Sequence, residues 1–203
     1  MTISSHPDIA TLMTCSAGST PEALCAVVTS HLSMCPGCLE ELRSMETIGV
    51  ALFEELEPIK IDANAPELGA TATDDPAGTD AADVGGNVPS PLVEVIGSNL
   101  DSLAWQQLAP GIWNFTVPIT SQATGDLRLI KLEPGHKLPE HRHQGEELIL
   151  VLRGSYRDGT STYSTGDFAE LYDENKHPMI AEQEGCTLLI GNGSMPGFIS
   201  QLN

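Results

Sequence analysis

Apolar side chains recur at helical spacing in the first sixty residues and predict three short helices. The first helix follows Ser4 or Ser5 as its cap and ends at Gly18, and the second opens at 20–22. Their apolar positions are Ile9, Leu12 and Met13 in the first helix, and Leu24, Val27 and Val28 in the second, with His31 on the edge of the second stripe. We therefore expect each helix to bury one face.

A proline and a glycine separate the second predicted helix from the third. Pro36 and Gly37 interrupt any continuous helix, so the chain must turn between the two segments. The apolar contacts of the third helix are expected at Leu39, Leu42, Met45, Leu52 and Leu56. The first sixty residues are thus predicted to form a small all-α unit.

From Trp105 onward, apolar and polar residues alternate between turn residues, which is typical of strands. The predicted strands cover 112–117, 126–132, 148–152, 155–157, 166–171 and 186–190. Short strands at this spacing suit an all-β double-sheet jelly roll, with Cys186 in its core. The chain is therefore predicted to contain two domains, one all-α and one all-β.

Residues 61–90 separate the two patterns and contain no aromatic and no basic residue. The segment is rich in Ala, Gly, Asp, Pro and Thr, and such a composition buries too little apolar area to offset the entropy of ordering. We predict a flexible acidic linker here, between a helical domain at 1–60 and a β domain at 91–203. Residues 91–100 are a candidate for a further helix at the start of the β domain.

The chain is strongly acidic, with 28 acidic residues, 9 basic residues and a formal net charge of -19. Direct binding to nucleic acid would lack its main driving force, which is the neutralisation of phosphates by Lys and Arg. The charge is consistent with a protein partner that has a basic face, and equally with an ordinary soluble acidic protein.

No apolar run approaches the roughly 20 residues that span a membrane. The first 15 residues lack the basic and apolar regions of a secretory signal, so we expect a cytoplasmic protein without membrane contact. Five cysteines are an odd number for a chain with no export signal. This number favours metal or redox use of the thiols over a disulfide framework.

The spacing H-x3-C-x2-C at 31–38 is a metal-binding signal. A C-x2-C turn brings two thiolates to one ion at about 2.3 Å, and a histidine one helical turn upstream reaches the same point. The candidate ligands are His31, Cys35 and Cys38. A closed tetrahedral site needs a fourth donor, for which His6 is preferred. Cys15 and Cys25 remain alternatives, although both lie in helical patterns as small apolar residues.

A second metal signal lies in 135–154, where two glycines frame two histidines and a glutamate. His141 and His143 alternate on one predicted strand, so both imidazoles project to the same face of a sheet. A turn after them would return the Glu147 carboxylate on the next strand, and His177 is the most economical fourth ligand. Three imidazoles and one carboxylate suit zinc, manganese, iron or nickel.

These motifs resemble known families. The pattern G-x5-H-x-H-x3-E-x6-G from Gly135 to Gly154 resembles the first motif of the cupins, and Gly166 with His177 resembles the second. The upstream histidine followed by H-x3-C-x2-C resembles the zinc-binding anti-sigma domains. Joined in one chain, the two halves resemble the ChrR type of anti-sigma factor. The resemblance implies a structural zinc ion at His6, His31, Cys35 and Cys38, and a second metal ion in the cupin at His141, His143, Glu147 and His177.

The same resemblance implies a function. It is that of a cytoplasmic transcription regulator, whose N-terminal helices bind and mask an extracytoplasmic-function sigma factor. The cupin domain would respond to oxidative stress, either singlet oxygen or organic peroxide. The family has a fourth anti-sigma helix near the linker, for which 91–100 is the candidate. The signal, the release mechanism and the oligomeric state are left open.

The alternative is a metal-dependent cupin enzyme, a dioxygenase or an isomerase, because an open coordination position at the metal would permit catalysis. Glu146 and Tyr156 are the only nearby candidates for acid–base work, and each is more simply a solvated or packing residue. A storage or scaffold cupin with a small zinc-binding appendage is a third interpretation.

Overall fold

The computed structural model describes residues 2–54, 56–57, 88–120, 125–138, 145–172 and 178–193. Its helices are α1 Ile9–Ser16, α2 Glu22–Met34, α3 Pro36–Glu54 and α4 Ser90–Ile96, followed by a 3₁₀ turn at Leu100–Ser102. Its strands are β1 Gln106–Ala109, β2 Ile112–Thr116, β3 Asp126–Leu132, β4 Lys137–Leu138, β5 Glu147–Asp158, β6 Ser161–Ser164, β7 Phe168–Leu171 and β8 Met179–Asn192. The predicted order, helices first and an antiparallel β fold afterwards, is confirmed.

The first helix begins later than predicted. Asp8, and not Ser4 or Ser5, caps α1, because its carboxylate accepts a hydrogen bond from the Thr11 amide at 2.7 Å. In α2, the predicted stripe of Leu24, Val27 and Val28 is buried. His31 was expected on the edge of this stripe, but it is fully buried within it.

The third helix departs from the prediction in its second half. α2 ends at Met34 and α3 starts at Pro36, with an angle of 115° between them, as the proline and glycine predicted. Leu39, Leu42 and Met45 pack against the core as expected. Leu52 does not, since 62% of its surface is exposed. Leu56 lies beyond the end of α3 at Glu54 and is 64% exposed.

Two long strands form the centre of the β fold. β5 and β8 pair antiparallel from Glu147 opposite Asn192 to Asp158 opposite Met179. β8 also pairs with β3 and β4, whereas β5 also pairs with β7 and β6. β2 and then β1 extend the sheet beyond β3. The strands that pair with β8 and the strands that pair with β5 are thus joined through the long β5–β8 pair. The sheet folds over on itself at this pair, as a jelly roll does.

The sheet is apolar on both of its faces. Ile149 and Val151 of β5 face an inner cluster, whereas Leu148, Leu150 and Leu152 of the same strand face an outer cluster. The outer cluster also contains the buried side chains of α2 and α4. The uninterrupted apolar run of β5 is therefore explained by burial on both sides.

A glycine allows α2 to lie close to the sheet. A Cβ atom on Gly191 of β8 would stand 2.7 Å from the Ala23 carbonyl oxygen and 2.7 Å from the Val27 side chain. Only a residue without a side chain leaves room for this contact. The helical region thus packs directly onto the sheet.

The N-terminal segment is also bonded to the β domain. The Asp167 carboxylate accepts hydrogen bonds from the amides of Ser4 and Ser5, at 2.6 and 3.0 Å, and from the Ser164 amide at 2.8 Å. The Phe168 amide donates to the Ser5 carbonyl at 3.0 Å. Residues 4 and 5 are therefore held against the turn that precedes β7.

Most of the predicted linker lies outside the described residues. Of its last three residues, Val88 and Pro89 are buried and Ser90 opens α4. The further helix expected within 91–100 is therefore present as α4, which packs against α2.

We expect Gly191→Ala to destabilise the protein by about 1–3 kcal/mol, because the new methyl group would push α2 away from β8. Urea unfolding followed by circular dichroism measures this change. Gly49→Ala in α3 is the matched control, since its new methyl group would meet nothing within 4 Å. An equal loss of stability in both variants would contradict the close contact between α2 and β8.

Candidate metal centre

The end of α2 and the start of α3 position three of the predicted metal ligands. His31 lies in the last turn of α2, Cys35 is its C-cap, and Cys38 lies in the first turn of α3. The Cys35 amide donates to the His31 carbonyl at 2.8 Å, which ties the cysteine to the helix end. The break at Pro36 then turns the chain so that both thiols face the same point.

The N-terminal segment supplies the fourth donor. The His6 Nδ1 atom lies 3.3 Å from the Cys38 sulfur and 3.5 Å from the Cys35 sulfur. The His31 Nε2 atom lies 3.4 Å from the Cys38 sulfur, and all four donor atoms lie within 4.8 Å of one another. Ligands at 2.0–2.3 Å around a tetrahedral ion are about 3.3–3.8 Å apart, so this cluster has the dimensions of a metal site.

Burial and hydrogen bonding prepare His31 to act as a ligand. Burial lowers the pKa of His31 to about 4, so the imidazole is neutral at physiological pH. Its Nδ1 atom lies 3.0 Å from the Gly166 carbonyl oxygen. A carbonyl only accepts, so Nδ1 carries the proton and Nε2 keeps a free lone pair towards the thiols.

The thiols are mostly enclosed. Cys35 and Cys38 are each 5% exposed. Burial, the neighbouring Cys35 thiol and the Glu41 carboxylate raise the pKa of Cys38 to about 12. A thiol ligates as the thiolate, so a bound cation must displace the Cys38 proton. The positive charge of the cation then compensates the negative charge of the buried thiolate.

The two alternative donors pair with each other instead. The sulfur atoms of Cys15 and Cys25 are 2.7 Å apart, and neither belongs to the four-donor cluster. The arrangement of the donors favours His6 over both cysteines.

The predicted cupin site falls largely outside the described residues, which exclude His141, His143 and His177. Glu147 begins β5 and is 2% exposed. Because alternate residues of a strand share a face, Glu147 lies on the inner face with Ile149. Of the predicted hairpin turn at 144–145, only Gly145 is described, and β4, the described strand before it, pairs with β8. The second metal site stays a prediction.

The acid–base candidates of the enzyme hypothesis take part in packing and surface contacts. Tyr156 is 1% exposed and stacks on Tyr163 at 5.0 Å between ring centroids, and burial raises its pKa above the usual range. Burial also raises the pKa of Glu146, which accepts a hydrogen bond from Tyr172 at 3.4 Å.

Sequence reasoning missed the contribution of the β domain to the metal cluster. The Gly166 carbonyl orients His31, and the Phe168 ring contacts His31 edge-on at 5.3 Å between centroids. The glycine and aspartate at 166–167 stood out only as part of a cupin motif. Their contacts with residues 4, 5 and 31 join segments that are more than 130 residues apart in sequence.

The comparisons with known proteins agree with this architecture. Residues 94–196 match the family described as the ChrR cupin-like domain. The anti-sigma-E factor ChrR of Cereibacter sphaeroides is 32% identical over 187 residues, which cover 90% of this chain and 86% of the relative. The chain belongs to the ChrR family of anti-sigma factors.

A solved member of the ChrR family has the same fold over nearly the whole chain. In the crystal structure of Rhodobacter sphaeroides SigE in complex with the anti-sigma ChrR, the matched chain is covered in full. The match covers 94% of the present chain with a TM-score of 0.78 and 29% identity. The ChrR-like arrangement therefore includes the helices as well as the cupin.

Among the described helices, none is by itself long and apolar enough to cross a membrane; α2 and α3 would meet the criterion only together, and they are bent by 115°.

We expect Cys35→Ser to remove about one equivalent of bound metal, because three donors hold an ion far more weakly than four. Elemental analysis of the purified full chain measures the metal content. Cys25→Ser is the matched control, since its thiol lies outside the cluster. If Cys25→Ser lost the same equivalent, the assignment of His6 as the fourth donor would be wrong.

Proposed function

We propose that this protein is an anti-sigma factor that sequesters an extracytoplasmic-function sigma factor through its N-terminal helices. The observation that carries this proposal is the similarity, over 94% of the chain, to ChrR as it occurs with SigE. Family membership supports a regulatory role rather than a catalytic one.

The second half of α3 is the proposed sigma-binding surface. The large exposed apolar side chains of the described chain concentrate there and just beyond the helix end. They are Ile48, Val50, Leu52 and Phe53 in α3, and Leu56 after it, each 58–75% exposed. An apolar patch of this kind is typical of a protein–protein interface. A helix that exposes this surface is well suited to bind the apolar groove of a partner.

Charge supports the choice of a protein partner. The formal charge of -19 disfavours direct contact with nucleic acid. A sigma factor presents basic surfaces to DNA, and an acidic protein is suited to cover such surfaces.

Zinc is the proposed ion of the four-donor cluster. Two cysteines and two histidines form a donor set that suits zinc and that closes without an open position. An ion held this way has a structural role: it would join the N-terminal segment to the end of α2 and the start of α3.

A second divalent metal is assigned to the cupin at His141, His143, Glu147 and His177, with zinc first and manganese, iron or nickel as alternatives. The motif spacing supports this assignment, as does the position of Glu147 on the inner face of the barrel. We assign to this site the response to singlet oxygen or organic peroxide. The protein would act in the cytoplasm, where sigma factors bind RNA polymerase.

Capture from a lysate of the source cells, with the tagged full chain as bait, tests the sigma-factor proposal. We expect mass spectrometry to identify a sigma factor, and we expect Cys35→Ser to lose it together with the zinc. Phe53→Ala should weaken binding to the captured factor by about tenfold or more, because it removes an aromatic side chain that the partner is expected to cover.

Tyr172→Ala is the control for Phe53→Ala, since Tyr172 is an aromatic residue of the β domain that is 53% exposed and follows β7. Equal loss of binding in both variants would contradict the assignment of the sigma-binding surface to the second half of α3. If metal-loaded bait recovers no sigma factor, the proposed function itself is wrong.

Glu147→Gln tests the cupin site separately. We expect it to remove about one metal equivalent while the N-terminal metal and sigma binding persist, because an amide is a poor ligand in place of a carboxylate. Release of the sigma factor by organic peroxide should then be lost. The exposed Glu133→Gln is the control, and unchanged metal content in Glu147→Gln would contradict the assignment.

A further inference from the structure

The cysteine pair between α1 and α2 has no place in the metal cluster or in the proposed sigma surface. Cys15 lies near the end of α1, and Cys25 lies in the first turns of α2. Their sulfur atoms are 2.7 Å apart, although the residues are ten positions apart in sequence. Both side chains are partly exposed, so a small oxidant in solution can reach them.

The turn between the helices brings the two thiols together. α1 ends at Ser16, and Gly18 takes a positive φ of 65°, which reverses the chain before α2 starts at Glu22. A disulfide bond is about 2.05 Å long, so the sulfur atoms need to approach by only about 0.7 Å to bond. Neither helix has to move far for this bond to form.

The two thiols differ in their readiness to react. A hydrogen bond from the Cys15 thiol lowers the pKa of Cys25. The same hydrogen bond, together with burial, raises the pKa of Cys15. The thiolate is the reactive form, so Cys25 is suited to attack an oxidant and Cys15 to resolve the product. Cys186 contrasts with both, because burial in the barrel raises its pKa to about 12.

We infer that Cys15 and Cys25 form a dithiol modification site, which a hydroperoxide oxidises to a disulfide that joins α1 to α2. The Cys25 thiolate attacks the terminal oxygen of the hydroperoxide, the O–O bond breaks, and the alkoxide takes up a proton and leaves as an alcohol. The Cys25 sulfenic acid is then attacked by the Cys15 sulfur, which forms the S–S bond and releases water. Overall, two thiols and one hydroperoxide give one disulfide, one alcohol and one water.

The disulfide would add a covalent bond between α1 and α2. α2 is packed against the β sheet, whereas α1 exposes Ile9 and Met13, 58% and 55% of whose surfaces are accessible. Oxidation therefore joins α1, and with it the segment that carries His6, to the docked α2. This inference does not depend on sigma binding or on the identity of the metal.

Thiol mapping of the full chain as purified, with hydrogen peroxide as the probe, tests the inference. We expect two of the five cysteines to become resistant to alkylation at a peroxide dose that leaves the bound metal in place. Proteolysis after Glu22 separates Cys15 from Cys25, so a crosslinked pair of peptides, resolved by fragmentation, identifies the bond.

Two variants test the separate roles of the thiols. Cys15→Ser keeps a hydrogen-bond donor beside Cys25 but removes the resolving thiol, so Cys25 should accumulate as a sulfenic acid that dimedone traps. Cys25→Ser should leave Cys15 unmodified at the same dose. Cys186→Ala is the control and should form the disulfide as the parent protein does.

Three results would overturn the inference. The first is oxidation of Cys35 and Cys38, with metal release, before any Cys15–Cys25 crosslink forms. The second is a dimedone adduct on Cys15, rather than on Cys25, in the single variants. The third is an intermolecular disulfide, seen as a dimer on a non-reducing gel, in place of the internal bond.

Discussion

The contact between α2 and the outer face of the β sheet determines the arrangement of the rest of the chain. Leu24, Val27 and Val28 are at most 1% exposed, and burial of each such side chain contributes about 1.5–3 kcal/mol. The contact determines both the position of α2 along the sheet and its distance from the sheet. The last turn of α2 therefore ends at the turn before β7, where the Gly166 carbonyl meets His31. The candidate metal cluster therefore lies where the helical region meets the β domain, because α2 belongs to the first and packs against the second.

The order of helices before strands follows from local patterns and was predicted correctly. The strand list was less accurate, because the predicted strands 148–152 and 155–157 are both parts of β5, and β1, β4 and β6 were not predicted. The stripe of α2, the turn at Pro36 and the boundaries of β3 depend on residues close in sequence. The exposure of Leu52 and Leu56 could not be predicted in the same way. Periodicity shows that a helix has an apolar face, but the face that meets a partner protein has the same pattern as one that meets the chain's own core.

In the candidate metal centre, too, the ligands that are close in sequence could be predicted from spacing, whereas the contacts between distant segments could not. His31, Cys35 and Cys38 share one turn of chain, so spacing alone identified them as a group. His6 was a choice among three donors, and the structure favours it because the Asp167 carboxylate holds the amides of Ser4 and Ser5. That anchor depends on a contact across 163 residues of sequence, which no local pattern contains. The histidines of the cupin motif rest on motif spacing alone.

The hydrogen bond between His31 and Gly166 would link metal binding thermodynamically to domain docking. An ion bound in the cluster would contact the imidazole that the cupin carbonyl orients, so the docked arrangement would have the higher metal affinity. Linkage is reciprocal, and the ion must stabilise docking by the same factor by which docking strengthens its binding. A signal that separates the β domain from α2 would therefore lower the metal affinity of the cluster. Conversely, withdrawal of the ion would loosen the cupin from the helices without any change in the cupin itself.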